Sequence, residues 1–272
     1  MHAQAQMDLR ARAHAAFGRF AADPVHAPVL ARLQADLGLS AAVIEAGFLR
    51  YTCDSFVSAN DIYAEAVIHI AMWIEYQTHG GIHARRQSAV LDALWRYRPA
   101  AIADIGYGAP TRYVYDYVLA TPGVRVLLCD KFPAALAVGQ SLLRGTNPSA
   151  HDRVDFARHD MDADPVLVGH DCYLLLDAIE HTAEPGRYLR QTVAVAAPQA
   201  LFLLHIPIGP LIASHAIAWP SAAAATVWLA DAGLEVLSSE VITPDPAVDL
   251  FAQQQDESAM TDLFVVARTC RG

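Results

Sequence analysis

Residues 101–110 read AIADIGYGAP, and this stretch decides the fold. Its first five residues form a short, mostly apolar run that is typical of a buried strand. Gly106 and Gly108 follow, and glycines at these positions permit a tight turn and let the backbone approach a ligand closely. Residues 112–120 are then long enough for a helix. A strand, a glycine turn and a helix form the first unit of an α/β fold.

Short apolar runs alternate with helical stretches through the rest of the chain. The first five runs are apolar over most of their length, as in parallel strands covered by helices on both faces. The last two runs are separated by a loop without a convincing crossover helix, which favours an antiparallel hairpin. We therefore predict an α/β fold: a Rossmann-like, doubly wound, seven-stranded sheet with an antiparallel last strand. The predicted strands are 101–105, 124–129, 154–158, 172–176, 201–206, 234–242 and 263–267.

The residues before Pro99 have a different character. Residues 1–98 are rich in Ala, Arg, His and aromatic residues, and their apolar positions recur at helical spacing. We predict an N-terminal helical cap over 1–98 and a ligand-binding sheet domain over 99–272, and we expect any homodimer to form through the helical region. Within the cap, helices are predicted over 41–51, 61–77 and 82–97.

The composition excludes several classes of protein. Of the 272 residues, 54% are hydrophobic and 18% are charged, the reverse of the balance in disordered chains. The formal net charge is −10 and no dense basic patch is visible, so we expect no nucleic-acid partner. The longest apolar stretch, residues 192–204, is interrupted and too short to cross a bilayer, so we expect no membrane partner. The absence of an apolar secretory segment predicts a cytoplasmic protein.

Acidic residues follow the first three predicted strands, at the sheet edge where open α/β folds bind ligands. Asp104 lies two positions before the first glycine and suits an ammonium group rather than a diphosphate. Asp130 ends the second strand, where a carboxylate accepts ribose hydroxyls or, alternatively, caps the next helix. Asp160 and Met161 follow the third strand and suit an adenine amino group and ring. The alternative for this pair is a solvated turn.

The fourth strand is followed by three ionisable residues, Asp177, Glu180 and His181. Such groups after an apolar strand are costly unless they face a site. His181 suits a general base for a hydroxyl or amine acceptor, or it orients the helix that follows. His205 and His215 are further candidates for the same rim.

No metal site is predicted. His79 and His83 have the i, i+4 spacing that binds metals on one face of a helix. Gly80 and Gly81 between them break such a helix, and no third ligand is identifiable.

Together these motifs resemble the class I S-adenosylmethionine-dependent methyltransferase family, over about residues 100–268. The segment after the fourth strand is similar to the branch that methylates small metabolites, such as the quinone O-methyltransferases. The motifs are ADIGYG at 103–108, LLCD at 127–130, HDMD at 159–162, LLLDAIEHTAEPGRYL at 174–189, GLEVLSSEVITP at 233–244 and DLFVVART at 262–269.

The resemblance implies S-adenosylmethionine as co-substrate. It assigns Asp104 and the glycines to the methionine portion and Asp130 to the ribose. It assigns the pair at 160–161 to the adenine and Asp177 to the sulfonium. The cofactor-binding residues are thus expected to be Asp104, Gly106, Tyr107, Gly108, Asp130, Lys131, Asp160, Met161 and Asp177. The expected catalytic residues are His181, Asp177 and Tyr76.

The implied activity is methyl transfer to a small-molecule substrate in secondary metabolism. Ala109 and Pro110 depart from the usual loop and stiffen it, and tyrosines crowd this region, where aromatic faces attract a sulfonium. These departures favour, as an alternative, transfer or cyclisation of the aminocarboxypropyl group with release of methylthioadenosine. A second alternative is a non-catalytic protein that binds S-adenosylmethionine.

Overall fold

The sheet of this protein has seven strands in the computed structural model, which describes residues 2–54, 62–78, 82–146, 148–211, 215–243 and 261–270. The strands are β1 Ala101–Ile105, β2 Arg125–Asp130, β3 Val154–Arg158, β4 Cys172–Leu176, β5 Leu201–Ile208, β6 Leu234–Ile242 and β7 Thr261–Thr269. Their order across the sheet is β3-β2-β1-β4-β5-β7-β6. β1 to β5 pair in parallel, and β7 runs antiparallel to both β5 and β6. The predicted Rossmann-like sheet with an antiparallel last strand is confirmed.

Helices cover both faces of this sheet. Along β4, Leu174 packs into the core on one face, while Tyr173 and Leu175 pack into the core on the other. This alternation follows from the two-residue period of a strand. The helices are α1 His2–Ala22, α2 Ala27–Leu37, α3 Ala41–Cys53, α4 Ala66–Thr78, α5 Ile82–Tyr97, α6 Arg112–Ala120, α7 Pro133–Thr146, α8 Pro185–Val195 and α9 Ala222–Asp231.

The N-terminal helices α1 to α4 share a core of their own, which continues onto α7 through Val138 and Leu142. Helix α5 instead packs into the sheet core through Val90 and Leu94. The predicted division into two domains at residue 98 stays a prediction. Helix α4 begins at Ala66, later than the predicted start at 61, because a turn closed by the Glu65 amide and the Ile62 carbonyl (3.0 Å) precedes it.

No single helix among the described residues is long and apolar enough to cross a membrane. The pair α2 and α3 reaches the required length and composition together, with a bend of 104° between the two helices.

Candidate active site

A cleft lies at the carboxyl ends of β1 and β4, with α4 and α5 on its other side. It encloses about 460 Å³, including the part open to solvent. The sheet side of the cleft is lined by Asp104, Tyr107, Thr111, Leu176, Asp177 and His205, and the helical side by Tyr76, His83, Arg86, Gln87 and Val90. The cleft therefore brings together side chains of both predicted regions at the edge where α/β sheets bind ligands.

Asp104 is the buried carboxylate of this cleft. Its Oδ2 accepts a hydrogen bond of 2.5 Å from the Tyr113 hydroxyl, and its Oδ1 has no hydrogen-bond partner in the structure. Burial raises the pKa of Asp104 to about 7, against the opposing effect of the Tyr113 hydrogen bond. A buried oxygen without a donor in a cleft suits a cationic ligand group, as predicted for Asp104 from the sequence.

The glycine turn after β1 packs tightly against the protein itself. Gly106 and Gly108 have φ values of 73° and 58°, in the left-handed region that favours glycine. A Cβ at Gly106 would lie 2.7 Å from the Cβ of Ala178, and one at Gly108 would lie 2.6 Å from the Cε of Met72. The glycines thus allow the turn to contact both the loop after β4 and helix α4. Tyr107 in this turn donates to the carbonyl of Ala135 (2.5 Å).

Asp130 holds the end of β2 against the glycine turn. Its Oδ2 accepts from the Gly108 amide (3.1 Å) and its Oδ1 from the Phe132 amide (2.9 Å), and the residue is only 5% exposed. The Phe132 amide lies before α7, which begins at Pro133, so neither of these hydrogen bonds caps the helix as the alternative for Asp130 had it. Each oxygen keeps a second lone pair, so the ribose role stays a prediction.

His69 on α4 ties the cap to the same turn, and no sequence motif pointed to it. Its Nδ1 lies 2.8 Å from the carbonyl oxygen of Gly108 and its Nε2 lies 2.7 Å from that of Tyr63. Burial lowers the pKa of His69, and the nearby Asp130 carboxylate opposes that shift. A neutral ring donates to one of the two carbonyls and a protonated ring to both.

The residues predicted to contact adenine form a self-capped turn after β3. Oδ1 of Asp160 accepts from the Asp162 amide (3.0 Å), and the Asp160 amide donates to Asp164 (2.7 Å). The turn considered as the alternative for this pair is thus observed. Met161 lies beside the glycine turn, with its Cε 3.9 Å from the Cβ position of Gly106. Lys131, the other residue expected to bind the co-substrate in this region, directly follows Asp130, and its Nζ lies 5.1 Å from the centre of the Phe132 ring.

Asp177 is held at the end of β4 by a guanidinium group. Arg86 on α5 lies 3.0 Å from Asp177 and makes a closer ion pair with Asp262 at the start of β7. Burial is the largest influence and raises the pKa of Asp177, but Arg86 and the nearby histidines together outweigh it, so that the pKa is below its usual value. Asp177 also has a φ of 51°, a strained conformation for a residue with a side chain. Strain of this kind is common at functional sites.

Burial lowers the pKa of two histidines, one in this part of the cleft and one beside it. His205 is fully buried and neither ring nitrogen has a hydrogen-bond partner; burial lowers its pKa to about 3. His215 is partly buried, and burial, followed by the proximity of His181, lowers its pKa to about 4.

The predicted catalytic residues occupy two neighbouring places. Tyr76 and Asp177 line the cleft. His181 lies beyond it, with its ring centre 4.9 Å from that of His215 and 6.2 Å from that of Tyr63. Sequence reasoning did not assign Arg86 to the site, because nothing local marks which arginine of an amphipathic helix faces a distant strand. His79 lies outside the described residues.

Solved structures of other proteins share this architecture. The structure of the mitomycin 7-O-methyltransferase MmcR matches with a TM-score of 0.55 at 19% identity, over 94% of this chain and 71% of that one. The [4+2]-cyclase SpnF matches with a TM-score of 0.54 at 16% identity, over 70% of this chain and 82% of that one. An O-methyltransferase from a trans-AT PKS multienzyme of Brevibacillus brevis was solved in complex with S-adenosyl-L-homocysteine. It matches with a TM-score of 0.52 at 11% identity, over 68% of this chain and 71% of that one.

The chain has the class I methyltransferase fold. The mitomycin enzyme matches nearly the whole chain, so that likeness extends into the helical region. No family model matches the sequence, and the comparison with curated proteins finds no match either. At these identities the likeness concerns the fold, and a class I methyltransferase fold also supports other chemistry, as the cyclase shows.

Proposed function

We propose that this protein binds S-adenosylmethionine and transfers its methyl group to a small metabolite. One observation carries the proposal: the unpartnered, buried Oδ1 of Asp104 faces a cleft that also contains the guanidinium of Arg86. The Asp104 carboxylate suits the ammonium of an amino acid, and the Nε of Arg86, which has no hydrogen-bond partner while the rest of the guanidinium pairs with Asp177 and Asp262, suits its carboxylate. The complex of the Brevibacillus enzyme with S-adenosylhomocysteine supports the same ligand class.

Residues in the cleft and beside it suit the remaining parts of this co-substrate. The glycine turn and Asp130 lie where the ribose is expected, and Met161 lies beside them as an apolar contact for the adenine. Tyr76 places an aromatic ring at the methionine end, where a ring face attracts a sulfonium.

S-adenosylmethionine supplies an electrophilic methyl group on a positively charged sulfur. The contribution of the chain is to hold and align the reactants and to exclude water. Helices α4 and α5 cover the cleft, and Asp104 and Arg86 orient the methionine end. His181, next to the cleft, accepts the proton of a hydroxyl or amine acceptor in this proposal.

Calorimetry with S-adenosylhomocysteine tests the binding step. We expect Asp104→Asn to weaken binding at least tenfold at pH 8, because the amide cannot pair with the ammonium group. Asp155→Asn, on an exposed position of β3, is the control and should bind like the wild type. Wild-type protein without affinity for the adenosyl compounds, or with tight NADH binding instead, contradicts the proposal.

Asp104 supports a second candidate function, cyclisation of the aminocarboxypropyl group of S-adenosylmethionine. A carboxylate with a pKa of about 7, next to the expected ammonium group, is able to take a proton from it at neutral pH. The resulting amine is a nucleophile toward the carbon of its own aminocarboxypropyl chain that is bonded to sulfur. Attack there would release methylthioadenosine, whereas methyl transfer leaves S-adenosylhomocysteine.

Product analysis separates these candidates. The purified protein is incubated with S-adenosylmethionine alone and then with cell extract, and the nucleoside products are resolved by mass. S-adenosylhomocysteine formed only with extract supports methyl transfer, and methylthioadenosine above the non-enzymatic background supports the second candidate. Binding without turnover in either case supports a non-catalytic protein.

We also propose secondary metabolism as the setting, because the mitomycin enzyme shares the fold over most of this chain. A cytoplasmic location and a homodimer through the helical region remain proposals of the same kind. Size-exclusion chromatography with light scattering tests the homodimer.

A further inference from the structure

Three side chains gather beyond the cleft in an arrangement that suits a metal ion, and one of them, His181, is the base of the proposed methyl transfer, a role that it has only in the metal-free protein. They are Glu180, His181 and His215, and one donor atom from each lies within 4.8 Å of the other two. Within the part of the chain that the structure describes, one other group of this kind is present, formed by Asp177, His205 and Asp262.

The second group already contains a cation. The guanidinium of Arg86 lies 3.0 Å from Asp177 and closer still to Asp262. A metal ion there would have to displace this arginine, and two like charges would repel at such short range. The cluster at Glu180 is therefore the better candidate.

The backbone holds this cluster together. Residues Ile179–His181 form a short 3₁₀ turn directly after β4, capped by the Thr182 hydroxyl on the Ile179 carbonyl (3.1 Å). The Ala216 amide donates to the Glu180 carbonyl (2.7 Å), which brings the neighbouring His215 alongside from a position 35 residues further on. The glutamate is 1% exposed, so its carboxylate is held in one place.

The donor set indicates which ion would bind. Two imidazoles and one carboxylate are the donors of zinc and iron(II) sites that keep open coordination positions. Donor atoms within 4.8 Å of one another can reach one ion with only small side-chain shifts, since metal–ligand distances are about 2.0–2.2 Å. Hard ions such as magnesium prefer an all-oxygen set instead.

We propose that Glu180, His181 and His215 bind a divalent transition-metal ion beside the cleft. The site lies three residues beyond Asp177, and both of its histidines interact electrostatically with that carboxylate. Its open coordination positions would accept water or an oxygen atom of a small-molecule ligand. The site does not depend on the identity of the nucleoside co-substrate.

Equilibrium dialysis of the chelator-treated full chain against zinc chloride tests this site. We expect one zinc ion per chain at micromolar concentration, and at least tenfold weaker binding by His215→Ala and by Glu180→Gln. His170→Ala is the matched control, because His170 is also partly buried but lies just before the amino end of β4, and it should bind zinc like the wild type. Zinc binding that is equal in all four proteins, or absent from the wild type, overturns the proposal.

Cobalt(II) gives a second readout that needs no variant. Bound by two imidazoles and a carboxylate, cobalt should show visible absorption bands distinct from those of the aqueous ion, and zinc should abolish them by displacement. A spectrum identical to aqueous cobalt contradicts the site even if a variant fails to fold. Thermal melting of each variant without metal distinguishes loss of ligand from loss of structure.

Discussion

Asp104 is the residue whose ionisation the fold alters in the most testable way. Burial raises its pKa from 3.8 to about 7. The hydrogen bond from Tyr113 lowers the pKa against this effect, and repulsion from Asp130 raises it further. The folded state therefore prefers the neutral acid. Its contribution to stability is fully present below the unfolded pKa and is lost as pH rises through about 7.

We predict that Asp104→Asn removes this pH dependence. The free energy of unfolding of the wild type should fall between pH 5 and pH 8 relative to the variant by about 3 kcal/mol, because the two pH units between pH 5 and the folded pKa of about 7 correspond to about 1.4 kcal/mol each. Urea unfolding at both pH values measures the difference. The exposed variant Asp155→Asn should follow the wild type, and parallel curves for all three proteins would contradict the raised pKa.

Gly106 and Gly123 differ in their surroundings although both have positive φ values. A Cβ at Gly106 would lie 2.7 Å from Ala178, while one at Gly123 would meet nothing within 4 Å. We predict that Gly123→Ala costs about 1 kcal/mol of backbone strain and that Gly106→Ala costs roughly 1–3 kcal/mol more through overpacking. Denaturant titration measures the free energy of unfolding of both variants. Adding Ala178→Gly should restore stability to the Gly106 variant only, and equal losses of stability at the two glycines would refute the close contact.

At the scale of the elements, α5 is joined to β4 and β7 by one arginine. Arg86 is paired with Asp177 and with the buried Asp262, so its removal leaves two carboxylates close together without their counter-ion. We predict that Arg86→Met destabilises the fold by on the order of 3 kcal/mol, measured by chemical unfolding. The double variant with Asp262→Asn should recover part of that loss. Arg96→Met, on an exposed position of the same helix, is the control.

Helix α7 is the element through which the N-terminal helices contact the sheet. Its residues Val138 and Leu142 belong to the core of α1 to α4, while Ala135 and Leu143 belong to the core of the sheet. Ser141 on the same helix donates to Asp36 of α2 (2.7 Å), and this hydrogen bond is the first cause of a lowered pKa at Asp36. One helix with buried residues toward both cores couples the two regions mechanically.

At the scale of the whole molecule, this coupling predicts a single cooperative unfolding transition. Leu33 is buried in the core of the N-terminal helices and Leu128 in the core of the sheet. We predict that Leu33→Ala and Leu128→Ala each lower the same transition, by about 2–5 kcal/mol, in calorimetry and in fluorescence. The exposed Val168→Ala is the control. Two separate transitions, each sensitive to one variant, would instead support independent domains.

The alternation of apolar runs and helical stretches was sufficient to predict the seven strands of the sheet. β1, β3, β4 and β6 begin and end at the predicted residues, because strands and helices have different residue periods that the sequence displays directly. The start of α4 was placed too early, because no glycine or proline marks the turn before it. The motif residues Asp104, Gly106 and Asp177 were likewise visible in the sequence, since they lie at or just after the carboxyl ends of strands, at the edge where ligands bind.

The composition of the site was decided by tertiary packing. Arg86 reaches Asp177 and Asp262 from far along the chain, and His215 reaches Glu180 through a backbone hydrogen bond of a neighbouring residue. The sequence by itself determined which elements form and which of their ends carry charge. Only the tertiary structure decided which distant side chains meet, because such contacts depend on how helices pack across the sheet edge and leave no periodic signal along the chain.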